Sequence, residues 1–183
     1  MTRNRKHGLI QAGVLLFCCL FFAGVSLPSM AQPAGPEGLR IMLVGQALIK
    51  RDLRSLVPAS VEQAREYLAG ADVAFTNLEV AVAPEGAEVT PRSNTVVKVS
   101  PVVLDNLRDM GFNLLSLANN HAVDLGAAGI ETTRTEVARR GFAFAGTGRD
   151  ADEAARAGYT DTAVGKVALV AMASGAAQLT PDT

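Results

Sequence analysis

From Arg40 onward, short apolar runs alternate with stretches of helically spaced apolar residues, and polar loops separate them. Residues 41–44 (IMLV) end at Gly45 and predict a buried strand. Ser60, with Gln63 three residues on, has the spacing of a capping box and predicts a helix that Gly70 closes. Residues 73–75 predict a second strand running out into Thr76, Asn77, Leu78 and Glu79. Residues 80–95 hold two prolines and a glycine and read as an excursion loop. Ser100 and Pro101 open a second helix; its Val103, Leu104, Leu107 and Met110 share one face, and Gly111 stops it. Residues 114–117 give a third strand, followed by Asn119, Asn120 and His121. A third helix over 130–140, a short strand over 142–145, a brief helix over 152–157 and a last strand over 167–172 complete the series. Strands alternating with helices imply βαβ units and a parallel or mixed sheet, an α/β fold.

The first thirty-one residues break this rhythm. Arg3, Arg5 and Lys6 precede a run over 9–27 without charge, and Ser29-Met30-Ala31 supplies the small residues of a cleavage site. That order predicts a signal peptide ending at Ala31, with a retained membrane anchor as the rival reading. Residues 32–39 then read as a linker. Without residues 1–31, Lys+Arg falls from 17 to 14 while Asp+Glu stays at 18, so the formal charge moves from −1 to −4. Cys18 and Cys19 leave with the signal, so the mature chain has no thiol chemistry, and His121 is its one histidine. No basic patch interleaved with aromatics is present, which argues against nucleic acid as a partner. The remaining 152 residues suffice for one domain.

Candidate chemistry sits where strands end: Gly45-Gln46, Asn77-Leu78-Glu79 and Asn119-Asn120-His121. Ligands of α/β sheets bind at the carboxyl ends of strands, where loops converge on one rim. A carboxylate, an imidazole and amide oxygens could ligate a divalent transition metal there. The same residue types also serve as turn formers that satisfy loop backbone groups, and residue type alone leaves both roles open.

The wording of three blocks goes further. ADVAFTNLEV (71–80), GFNLLSLANNHAVDLGAAGI (111–130) and GFAFAGTGRDADEA (141–154), with VGKVALVAMAS (164–174) after them, resemble the CapA-type poly-γ-glutamate capsule synthesis family. The resemblance covers the chain from Arg40 onward. It implies kinship with calcineurin-type metallophosphoesterases: a β-sandwich flanked by helices, with a metal pair at the strand ends. Carried over by position, Asn77, Glu79 and Asn120 become metal ligands. His121 becomes the catalytic group, stabilising charge on a phosphoryl oxygen or protonating a leaving group. Gly45, Gln46, Asp124 and Gly126 become loop supports, Gly126 through its backbone. The implied cofactor is a divalent metal such as Mn, Fe, Zn or Mg.

Two departures stand beside the resemblance. Gln46 occupies the position where the family commonly places a metal-binding Asp, and Asp52 lies six residues farther on with nothing to mark it as a substitute. The family's later histidine motifs do not follow within these residues, so the domain over 40–183 reads as the N-terminal half of the sandwich. The function that the resemblance implies is that of an exported protein involved in making or exporting poly-γ-glutamate or a similar anionic envelope polymer. Its partners would be that polymer or the associated machinery, and it would touch the membrane only through an uncleaved N-terminal segment. The alternatives are a metal-dependent envelope phosphoesterase and a fragment with no activity of its own.

Overall fold

The computed structural model describes residues 38–91 and 96–174. The expected signal peptide, most of the expected linker, the end of the excursion loop and residues 175–183 lie outside the described residues. Strand β1 (Ile41–Ala47) leads through a one-turn helix α1 (Leu53–Leu56) and helix α2 (Pro58–Leu68) to strand β2 (Val73–Leu78). Two short strands follow, β3 (Ala81–Val82) and β4 (Lys98–Val99), and then helix α3 (Val102–Met110). Strand β5 (Leu114–Ser116), helix α4 (Gly126–Arg139) and strand β6 (Ala143–Ala145) come next. Helix α5 (Ala151–Ala154) and the antiparallel hairpin β7 (Gly158–Thr162) and β8 (Gly165–Leu169) end the described chain.

The main sheet is parallel, in the order β1-β2-β5-β6, which bears out the α/β expectation. Each crossover steps the same way across the sheet. Crossovers are right-handed, so the connecting helices fall on one face. The packing agrees with that rule. Ala74, Leu78, Leu115 and Leu117 form one core with Val61 and Leu68 of α2, with Val103, Leu104, Leu107 and Met110 of α3, and with Val137 of α4. Helix α3 ends as the pattern predicts: Gly111, at φ +103°, takes the left-handed conformation, and its N–H bonds the last turn.

Several boundaries differ from the sequence pattern for identifiable reasons. Helix α2 begins at Pro58 rather than Ser60, because proline's fixed φ suits the first helical turn, and no side chain caps it. Helix α1 is held from a distance. Asp52 caps it by accepting from Arg54 N, and the fully buried Asn106 of α3 accepts from Leu53 N at 2.9 Å. Helix α4 starts four residues before the expected 130. Strands β3 and β4 pair in parallel inside and just beyond the segment read as a loop. The edge and the centre of the main sheet also contrast. Leu43 on β1 is 77% exposed, whereas Leu115 on the central β5 is fully buried.

Candidate functional site

The strand ends line up in one row. Gln46 of β1 is in register with Asn77 of β2, and Asn77 with Ser116 of β5. Register partners on parallel strands face the same side, about 4.8 Å apart. Gln46 reaches that side only because of a bulge: Leu43 pairs with Phe75 and Gln46 with Asn77, so β1 spends one residue more than β2 between them. The extra residue turns Gln46 onto the face of Phe75 and Asn77. Thr76 pins the irregular stretch, its buried hydroxyl donating to the Gly45 carbonyl at 2.6 Å.

Glu79 directly follows β2, and its N–H donates to the Ala47 carbonyl at 3.1 Å, holding the two strand ends together. Its side chain is partly buried, Asn120 and Gln46 are exposed, and Asn77 is partly buried.

The loop after β5 is built by Asn119, to which the resemblance assigns no role of its own. Its amide nitrogen donates to the Leu78 carbonyl at 2.8 Å and to Asn77 Oδ1 at 3.1 Å, bridging β2. Its Oδ1 accepts from His121 N at 3.0 Å, an Asx turn that sets the path of the next residues. The Asn-x-His spacing carries the signal for that turn. The bridge to β2 spans about forty residues and has no local signature.

His121 and Asp124 form the most enclosed pair at this rim. His121 Nδ1 lies 2.8 Å from Asp124 Oδ2, and the two side chains are 14% and 6% exposed. The same Asp124 oxygen accepts from Val97 N at 2.7 Å, in the segment leading into β4. The turn then closes on itself, with Asp124 N donating to the His121 carbonyl and Gly126 N to that of Val123. Gly126 follows at φ +65°, a conformation open to glycine at little cost, and starts α4.

Asp52 does not stand in for an acidic residue at position 46. Its carboxylate caps α1 and binds Arg54 Nε and Nη2, both at 2.9 Å. The Arg54 hydrogen bond holds the pKa of this carboxyl below the usual carboxylate range.

A metal pair needs several anionic or imidazole donors around one point. The rim offers the Glu79 carboxylate, the amide oxygens of Gln46, Asn77 and Asn120, and an imidazole whose Nδ1 is committed to Asp124. Asn77 Oδ1 already accepts from Asn119. Among the described residues, no three His, Cys, Asp or Glu side chains gather as a metal site requires. These residues by themselves do not fit a two-metal centre.

The loop after β6 is fixed by ion pairs instead. Glu153 accepts from Arg149 N at 2.8 Å and pairs with Arg134 of α4 at 2.6 Å. The Arg149 backbone N–H, then the Arg134 and Arg149 side chains, pull its carboxyl down to about 2.

A family model described as bacterial capsule synthesis protein PGA_cap matches residues 40–183. Two proteins of Sinorhizobium fredii (strain NBRC 101917 / NGR234), the uncharacterized proteins y4sH and y4uA, are each 31% identical to this chain over 142 residues. Those alignments take in 75% of this chain and 31% of each relative, so the chain spans about a third of their length.

Proposed function

The chain belongs to the bacterial capsule synthesis family PGA_cap, and on that premise we propose that it is exported and serves the making or export of an anionic envelope polymer of the poly-γ-glutamate kind. The family match across residues 40–183 carries this reading. The rim supports it with chemistry: a partly buried imidazole beside amide and carboxylate groups at the carboxyl ends of β2 and β5. There His121 would donate a proton to, or stabilise charge on, an oxygen of the substrate. Asn77 and Asn119 hold the two strand ends at a fixed separation.

The test is genetic and chemical. In the source bacterium, deletion of the gene should abolish the surface polymer. The intact gene should restore it, and the His121→Ala version should not. Unchanged polymer in the deletion strain contradicts the proposal. Fractionation of the same cells reads the location directly: export places the protein in the envelope fraction with residues 1–31 removed.

One observation favours a second reading, a metal-dependent envelope phosphoesterase: His121 is the kind of group that protonates a phosphoryl leaving oxygen, and it stands at the rim. The donor set of the rim does not fit a two-metal centre by itself, so this reading needs further ligands. Metal analysis of the full protein with a generic phosphodiester assay decides it. No bound metal together with no turnover removes it.

A further inference from the structure

We propose that Asp124 is a positioning residue for His121, fixing which ring nitrogen carries the proton and which is left to act. The proposal deepens the role given to His121 above and rests on that reading for its functional meaning. Its structural content stands alone.

Asp124 is 5% exposed, and a single oxygen of its carboxylate serves both His121 Nδ1 and the Val97 N–H. An ionised carboxylate can only accept hydrogen bonds, and the Val97 amide can only donate. The shared oxygen is thus an acceptor toward both neighbours, and the proton of the His121 contact sits on Nδ1. In the neutral ring, Nε2 then holds the free lone pair; in the charged ring, it holds the transferable proton.

The backbone is fixed as firmly as the ring. His121 N donates to Asn119 Oδ1, and the His121 carbonyl accepts from Asp124 N at 3.1 Å. Asn119 is in turn bolted to Leu78 and Asn77 of β2. The imidazole is therefore referenced to the sheet at one end. Through Asp124 and Val97 it is referenced at the other end to the paired strands β3 and β4. A group that donates from Nδ1 to a buried acceptor can offer Nε2 to a substrate without reorienting, the preorganisation that proton transfer requires. A carboxylate that merely anchored the loop would need the Val97 contact alone.

The readout is the tautomer of His121, measured by long-range proton–nitrogen correlation on the full chain labelled with nitrogen-15 histidine. A His7→Gln variant removes the other histidine's signals. The wild-type neutral ring should show a protonated-type Nδ1 and an unprotonated-type Nε2. Asp124→Ala should lose the Nδ1–H signature in favour of the Nε2–H form. Asp124→Asn, whose amide oxygen can still accept, should keep it. A wild-type ring protonated at Nε2, or an Asp124→Ala ring that keeps its Nδ1 proton, overturns the proposal. The wild-type spectrum decides the matter even if the alanine variant fails to fold. Should His121→Ala leave the polymer intact while the Nδ1–H signature is present, the functional reading fails and the positioning of the ring stands.

Discussion

The two sides of the rim are built differently. On the β2–β5 side, Asn119, His121 and Asp124 are joined to the sheet and to one another by side-chain hydrogen bonds, and Asp124 is buried. On the β1 side, Gln46 is exposed on an edge strand whose residues 41–44 are each 39% exposed or more. Enclosure and partners make the first side a preorganised loop. The second side owes its geometry to one bulge and one threonine hydroxyl. Chemistry that needs a fixed proton belongs to the first side.

The largest effect expected from probing this contrast is in the shared core. Leu115→Ala, at a fully buried position in the centre of the sheet, should cost about 2–5 kcal/mol in a denaturant melt. Asp124→Ala should come next. It leaves the Val97 N–H without its buried acceptor, a loss of about 1–3 kcal/mol measured the same way.

The loop after β6 adds a pH term. Glu153 has its folded-state value lowered from 4.5 to about 2, so it favours the folded state fully above 4.5. That contribution fades as pH falls from 4.5 toward 2. Glu153→Gln should flatten the stability profile across that window and leave the profile above it parallel to wild type. An unchanged slope between those values would mean the Arg134 and Arg149 pairs do not persist in solution. The smallest effect belongs to the edge strand, where Leu43→Ala at a 77% exposed position should change stability by no more than about 0.5 kcal/mol. A cost near that of Leu115→Ala would show that β1 is covered and that the contrast is false.

Much of the architecture was legible because it is local. Apolar runs gave β1, β2, β5 and β6, and the spacing of Val103, Leu104, Leu107 and Met110 gave α3 with Gly111 as its stop. What stayed hidden depends on distant partners. Helix α1 is four residues long and rests on Asn106, more than fifty residues away in the chain. Strand β7, with the sequence GYTDT, has no apolar run to announce it and forms by pairing with β8. The capping-box spacing at Ser60 misplaces the helix start, because Pro58 opens the first turn and Ser60 lies inside the helix.

The site divides the same way. Residues at strand ends can be named from the pattern, which is what makes Asn77, Glu79, Asn120 and His121 candidates. Which of them meet cannot, because the bridges run through Asn119 to β2 and through Asp124 to Val97. The three-residue spacing of His121 and Asp124 is visible in the sequence. The second partner of Asp124, twenty-seven positions away, is not. Nor does any pattern of apolar and polar residues reveal the bulge that turns Gln46 toward Asn77.

Amide hydrogen exchange on the full chain tests the central contrast most directly, because protection reports how often each segment opens. The amides of Val97, His121 and Asp124 should exchange much more slowly than the outward-facing amides of residues 41–46. Equal rates in the two segments, or faster exchange at Val97 and His121, would contradict a preorganised loop beside an unsupported edge.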